Sequence, residues 1–412
     1  MSGGRSRWIR RAGLAVCAVA ALLLGGLPAY GADGTFRNPL YAQDGADPWL
    51  TFHDGAYYLT GTYHSSEIVM RRSPTLAGLR EAEPVVVWRG DDPSRCCNFW
   101  APEFRLLDGP NGPRWYLHYS AGVSGSADHQ RMHVLESAGT DPMGPYSYKG
   151  QLNPPGEDDW SIDGSYLELP GRGLYFLWSE WSDVAQENWI APMRDPWTIS
   201  GAKRLLSTPE HSWEMSGLRV NEAPVALQRN GRTHVVYSAS YCGTPDYKLG
   251  LLTLVGGDPM RPGAWLKHRE PVFERADSAG VFGPGHNGFF TSPDGREDWI
   301  VYHAQDSAAG GCGQGRTIRA QPFEWNRDGT PDFGSPVAVD VELPAPSGEG
   351  RWRAAGPAES SSTPAITAPV KVTVAGRPRR RAEPPRRAGR DEIGVPGLAA
   401  VHRRAGARRG VA

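Results

Sequence analysis

Asp298-Trp-Ile-Val-Tyr-His-Ala304 is one of five copies of a short aromatic strand pattern, and the spacing of the copies decides the fold. The others are Ala56-Tyr-Tyr-Leu-Thr-Gly-Thr62, Arg114-Trp-Tyr-Leu-His-Tyr-Ser120, Gly173-Leu-Tyr-Phe-Leu-Trp-Ser179 and Thr233-His-Val-Val-Tyr-Ser-Ala239. They recur at intervals of roughly 60 residues, the behaviour of a propeller or array. A glycine-containing turn precedes each: Asp54-Gly55, Asn111-Gly112, Gly171-Arg172-Gly173, Asn230-Gly231 and Asp294-Gly295. These are hairpin signals. Another apolar strand lies upstream of each turn, as in Pro48–Phe52 and Ser165–Leu169, and a third lies downstream, as in Leu249–Leu254. Each repeat reads as a meander of three or four antiparallel strands. Five such sheets set radially make an all-β, five-bladed β-propeller, which spares the body one oversized core. No Trp-Asp dipeptide occurs, which argues against a WD40-type propeller.

The wider composition agrees. The 412 residues include 15 Trp, 15 Tyr, 51 Gly and 36 Pro. Such numbers fit a β-rich protein that binds something flat and polar, such as a sugar, and exclude a coiled coil or helical bundle. A polytopic membrane protein is excluded too, because only one long apolar run exists.

The net charge of −1 hides an asymmetry. Residues 1–31 carry +4 and residues 371–412 carry +9, which leaves −14 on residues 32–370. An acidic body disfavours nucleic acid or anionic membrane as its main partner. At the N-terminus, Arg5, Arg7, Arg10 and Arg11 precede an apolar run from Ala12 to Leu27, followed by Pro28-Ala29-Tyr30-Gly31. This pattern predicts a signal peptide over 1–31, cut after Gly31, and a secreted, extracellular protein with no membrane contact afterwards. Arg10-Arg11 leaves Sec and twin-arginine export both open. Residues 32–350 are expected to form the propeller. The Pro/Arg-rich stretch 351–412 is expected to be disordered, because it cannot bury enough apolar surface to offset its ordering entropy.

The first strand of each repeat opens on a polar signature. The five are Ala46-Asp47-Pro48-Trp49, Trp100-Ala101-Pro102-Glu103, Ile162-Asp163-Gly164-Ser165, Asn221-Glu222-Ala223-Pro224 and Gly285-His286-Asn287-Gly288. The innermost strands of a propeller surround its channel. Equivalent positions then form a ring, expected to hold Asp47, Glu103, Asp163, Glu222 and His286. Asp before Pro or Gly is usually a turn former, but Glu103 and Glu222 lack that excuse. Crowded carboxylates are costly unless they share protons, bind cations or do chemistry. Two carboxylates flanking a sugar are the apparatus of glycoside hydrolysis. Trp49 and Trp100 flank the ring and are candidates to stack on sugar faces.

Gly283-Pro-Gly-His-Asn-Gly288 has the letters of a dinucleotide-binding loop, but no helix pattern follows it. Four cysteines remain after the signal: Cys96, Cys97, Cys242 and Cys312. In an exported chain disulfides are the default. Cys242 and Cys312 both follow second strands in adjacent blades, on the ring face, and are expected to pair. Whether Cys96 and Cys97 pair with each other or stay free is not readable.

Across roughly Phe36 to Leu343 these signatures together resemble glycoside hydrolase family 43. Ile162-Asp-Gly-Ser165, Pro284-Gly-His-Asn-Gly-Phe289 and Asp298–His303 are most similar to the actinobacterial secreted exo-α-L-arabinofuranosidases of that family. The resemblance implies an inverting mechanism with Asp47 as general base, Glu222 as general acid and Asp163 as the carboxylate that tunes and orients the acid. It further implies that His286 stands in the channel near calcium or another cation, with no organic cofactor, and that Arg316, after Gly315, reaches the sugar. Glu103, on the ring, is a further candidate to contact substrate. The chain departs from many relatives at Ala223, where they carry Gly, and at Cys96-Cys97. The expected activity is release of L-arabinofuranose from arabinan or arabinose-bearing plant polysaccharide, by a monomer. A β-xylosidase, an endo-α-1,5-arabinanase and a non-catalytic glycan-binding propeller are the alternatives. The last would need a lost carboxylate, and none is lost.

Overall fold

Each of the five aromatic segments is the second strand of its own sheet. The computed structural model describes residues 34–350, apart from 42, 44, 64, 65 and 314. The expected signal peptide and basic tail lie outside the described residues. A short β1 (Thr35–Arg37) comes first. Blade I follows as β2 (Ala46–His53), β3 (Ala56–Thr62), β4 (Glu67–Ser73) and β5 (Val85–Arg89). Blade II is β6 (Cys97–Gly109), β7 (Gly112–Gly122), β8 (Arg131–Ser137) and β9 (Tyr146–Gln151). Blade III is β10 (Ile162–Leu169), β11 (Gly173–Trp181), β12 (Gln186–Asp195) and β13 (Thr198–Ile199), with β14 (Arg204–Ser207) also paired to β12. Blade IV is β15 (Asn221–Arg229), β16 (Arg232–Ala239), β17 (Lys248–Leu254) and β18 (Trp265–Lys267). Blade V is β19 (Phe282–Thr291), β20 (Asp298–Gln305), β21 (Arg316–Trp325) and β22 (Pro331–Asp332). A final β23 (Glu342–Pro344) pairs with β1.

All neighbouring strands within the blades run antiparallel, and local turn chemistry sets their registers. Asp54 and Gly55 both hold positive φ (45° and 77°), as do Asn230 and Gly231 (50° and 75°). Positive φ at both central positions is what a tight hairpin needs to match strand twist. The first strands pack on one another around the ring: β2 against β6 and β19, β10 against β6 and β15, and β15 against β19.

The apolar cores lie between blades, one per interface. Tyr58 and Trp49 of blade I meet Phe104 and Trp115 of blade II. Tyr116 and Met132 of blade II meet Tyr166 and Phe176 of blade III. The remaining three clusters join blades III and IV, IV and V, and V and I. A second strand therefore has a neighbour on both faces. β3 is buried along its whole length, which explains its unbroken apolar and aromatic sequence. Burying each such side chain stabilises by roughly 1.5–3 kcal/mol.

Closure of the ring brings the first catalytic candidate into place. The segment before β2 runs along β21 of blade V: Leu40 N–H donates to Ile318 O (2.8 Å) and Gly45 N–H to Arg316 O (2.9 Å). Asn38 spans Ala320, giving its amide to the carbonyl and accepting the N–H, both at 2.9 Å. Asp47 thus enters blade I beside Arg316.

Candidate active site

Every first strand breaks its register at the same place. The breaks fall between Ala46 and Trp49, Trp100 and Glu103, Ile162 and Ser165, Glu222 and Val225, and Gly285 and Gly288. Inside each break one residue is left-handed: Asp47 (φ 50°), Ala101 (46°), Asp163 (56°), Ala223 (49°) and His286 (49°). Left-handed backbone costs an L-residue roughly 1–2 kcal/mol, so five such positions need support. A bulge of this kind re-aims side chains.

The support is a belt of latches between blades. The Ala101 N–H donates to Thr62 Oγ1 (2.8 Å), the Asp163 N–H to Ser120 Oγ (3.3 Å) and the His286 N–H to Ser238 Oγ (2.8 Å). The Asp47 N–H donates to His303 Nδ1 at 3.1 Å. Each acceptor sits on the second strand of the preceding blade. In the remaining blade the equivalent Ser179 gives its hydroxyl to Asn188 (2.9 Å), and the Ala223 N–H turns to the Asp163 carboxylate instead. That exception joins Asp163 to the blade that carries Glu222.

The bulges also correct the expected ring. Asp47, Asp163 and His286 occupy equivalent positions, but their counterparts in blades II and IV are Ala101 and Ala223. Glu222 stands one residue before the bulge and Glu103 two residues after Ala101, because the side chains that converge on the channel do not all leave the strand at the same step. A cavity in the channel is lined by Asp47, Glu103, Asp163, Ala223, His286 and Asn287, among others.

The carboxylates have different surroundings. Burial opposes the charge on Asp47, but His286, Arg316 and His303 outweigh burial and hold its carboxyl well below the usual carboxylate range. His286 Nδ1 and Arg316 Nη1 each lie 3.3 Å from Asp47 Oδ1. Burial keeps both imidazoles below their ordinary pKa, His303 at about 4. Arg316 is the partner whose charge does not change with pH. Arg316 is fixed in turn by the Cys312 and Gly313 carbonyls, which accept from its Nη2 and Nε.

Burial pushes Glu222 up to about 7, and the charge of Asp47 adds to that rise. Two donors oppose it: Tyr247 Oη–H to Oε1 (2.6 Å) and Gln186 Nε2–H to Oε2 (3.0 Å). Burial, then Glu222 and Asp47, push Asp163 well above the carboxylate range. Glu103 behaves like Asp47 and unlike the other two. Arg105 Nε donates to it at 2.5 Å and Ser165 Oγ at 3.1 Å, and it stays ionised despite burial.

The two tryptophans part company. Trp100 is half-exposed beside the bulge. Trp49, 5% exposed, belongs to the core between blades I and II and also lines the channel cavity, with the Arg105 guanidinium 4.6 Å from its ring centroid. Cys242 and Cys312 are bridged (Cα–Cα 5.0 Å), tying the loops after β16 and β20. Cys96 and Cys97 are bridged to each other, which closes the question their sequence left open.

Tyr247, Gln186, His303 and the latch hydroxyls were not singled out from sequence. A signal for the latches is present: Thr62, Ser120 and Ser179 end three of the five aromatic segments, and Ser238 and His303 stand one residue before the end of the other two. Tyr247 and Gln186 carry no comparable mark.

The chain matches the Glycosyl hydrolases family 43 over residues 36–331. It is 37% identical over 344 residues to an extracellular exo-α-(1→5)-L-arabinofuranosidase of Streptomyces avermitilis, covering 79% of this chain and 70% of that one. It is 38% identical over 278 residues to a protein of the same name from Streptomyces chartreusis, covering 66% of this chain and 82% of the other. The crystal structure of an α-L-arabinofuranosidase from Lactobacillus brevis superposes with a TM-score of 0.68 at 34% identity, over 74% of this chain and 98% of that one. Five radial blades, a carboxylate-lined channel end and likeness across the whole propeller lead to one conclusion: this chain belongs to glycosyl hydrolase family 43.

Proposed function

We propose that the chain is an exported, inverting exo-α-L-arabinofuranosidase that removes terminal L-arabinofuranose from plant arabinan and related polysaccharides. One observation carries the mechanism. At one channel end a carboxylate held ionised, Asp47, stands with a carboxyl raised to about 7, Glu222. Inversion needs that asymmetry: an ionised base that takes a proton from water, and a protonated acid under the departing oxygen. Asp47 accepts the water proton while water attacks the anomeric carbon. Glu222 gives its proton to the glycosidic oxygen. The negative charge of Asp47 favours the protonated acid, and Asp163, itself pushed up beside Glu222, takes up protons with it instead of adding a second fixed charge. Arg316 keeps Asp47 ionised, and Trp100, partly exposed next to the Ala101 bulge, is the aromatic proposed to stack on the sugar. Exo action and the arabinofuranose preference follow the relatives' names. Among the described residues no helix is long and apolar enough to cross a membrane, and export rests on the Arg-flanked apolar run at the N-terminus.

A panel of substrates tests the reading. 4-Nitrophenyl α-L-arabinofuranoside should be cleaved at least ~100-fold faster than the β-D-xyloside, and linear α-1,5-arabinan should yield arabinose alone. Faster xyloside cleavage would make the protein a xylosidase. Early release of oligosaccharides would make it an endo-acting arabinanase.

A hydrated cation, calcium by its preference for oxygen ligands, is proposed for the channel. The residues fit it. Asn287 is buried with neither amide atom partnered, and neutral His286, with Nδ1 toward Asp47, keeps the Nε2 lone pair. His286 and Asn287 would hold the ion, water would complete its shell, and the ion would supply positive charge beneath the sugar. Chelation should lower activity and calcium restore it. Unchanged activity from protein that elemental analysis shows to be metal-free would rule the ion out.

A further inference from the structure

The general-acid candidate is held by Tyr247, whose hydroxyl donates to Glu222 Oε1 at 2.6 Å, so the Tyr247 proton points at Glu222. Ser238, which accepts the His286 N–H at 2.8 Å, is a further polar neighbour of the phenol. The ring is fixed as well. It lies parallel to the His303 imidazole, with an interplanar angle of 3° and centroids 5.6 Å apart. A Cβ on Gly285 would come within 2.2 Å of it, so glycine is what lets the ring seat there. His303 in turn accepts the Asp47 N–H. One wall, Tyr247 on His303, thus touches both the acid and the base.

We infer that Tyr247 is a positioning residue for the reaction: its hydroxyl fixes Glu222 Oε1, leaves the acid one orientation in which to present its proton, and joins it to the base through His303. This inference rests on Glu222 being the acid. Tyr247 is itself buried and its phenol is pushed well above its ordinary pKa, first by burial and then by the Glu222 and Asp163 charges. It stays a protonated donor wherever the enzyme works. The other groups facing Glu222 are Gln186 on Oε2, Asp47 as the ionised carboxylate, Asp163 as a raised carboxyl, Arg316 as the cation and Tyr241 nearby. A donor to a carboxyl favours the ionised form. Removing the hydroxyl should therefore raise the pH at which Glu222 loses its proton, and free the carboxyl to turn.

The test is Tyr247→Phe, assayed from pH 4 to 9 on arabinotriose and on 4-nitrophenyl arabinofuranoside, with Glu222→Gln alongside. In wild type, kcat/KM on arabinotriose should fall above about pH 7 as Glu222 ionises. In Tyr247→Phe that limb should move up by about one pH unit. On arabinotriose kcat should drop about 10- to 100-fold with KM within about threefold, the scale of a misplaced acid. The nitrophenyl substrate, whose leaving group departs unaided, should lose less than about fivefold. Equal losses on both substrates with an unmoved limb would mean a merely structural tyrosine and overturn the inference, as would a profile that superposes on wild type. If Glu222→Gln retains arabinotriose cleavage, the acid assignment falls instead. Should Tyr247→Phe fail to fold, Gly285→Ala displaces the ring and keeps the phenol, and the same limb shift is expected; its absence in a folded Gly285→Ala protein counts against the inference equally.

Discussion

Asp47→Asn is expected to lower kcat/KM by about a thousandfold or more on oligosaccharide and nitrophenyl substrates alike. General-base removal has effects on the order of 10²–10⁴, and water activation is needed whatever the leaving group. The substitution is gentle on the fold. Asn tolerates left-handed backbone at least as well as Asp, and its N–H still reaches His303. The electrostatics change more: Arg316 loses its carboxylate, and Glu222 and Asp163 lose one of the charges that raise them. Azide attacks without giving up a proton, so it should restore cleavage of the nitrophenyl substrate to Asp47→Asn. Azide rescue in Glu222→Gln and not in Asp47→Asn would reverse the two roles.

Glu222→Gln is expected to separate the substrates. Arabino-oligosaccharide cleavage should fall by about 10²–10⁴-fold, since the departing sugar alkoxide needs a proton. Nitrophenyl arabinofuranoside should lose less than about tenfold. The new amide faces donors on both sides, Tyr247 and Gln186, so one contact turns unfavourable. A small rise in KM on both substrates should follow. Equal loss of kcat on both would place Glu222 outside proton delivery to the leaving oxygen.

The sequence made the blades legible because second strands are buried on both faces. Tyr57, Tyr116, Val235 and Ile300 are all fully buried in their second strands, and such strands read as continuous aromatic and apolar runs at a regular interval. The site was legible as a set of residues and blurred as a register. Asp47, Asp163 and His286 mark the bulge directly. Glu222 and Glu103 leave the strand a step before or after the equivalent points, and a bulge, which breaks the two-residue alternation, gives no letter code for that offset. Tyr247 was invisible for a different reason. It reaches Glu222 across 25 residues of sequence, and Gln186 reaches it across 36 from the preceding blade. Trp49 reads as a ring-flanking aromatic and lines the channel cavity, although the Arg105 guanidinium over its ring and the neighbouring core leave it only 5% exposed. The adjacent Cys96 and Cys97 show no spacing from which pairing could be read.

The inverting division of labour between Asp47 and Glu222 is tested most directly by the configuration of the first sugar released. Proton NMR during rapid hydrolysis of α-1,5-arabinotriose by the wild-type enzyme, before mutarotation, should show β-L-arabinofuranose appearing first, with the α-anomer growing in later. Initial appearance of the α-anomer would mean retention, a covalent intermediate on a carboxylate, and a mechanism contrary to the one assigned to Asp47 and Glu222.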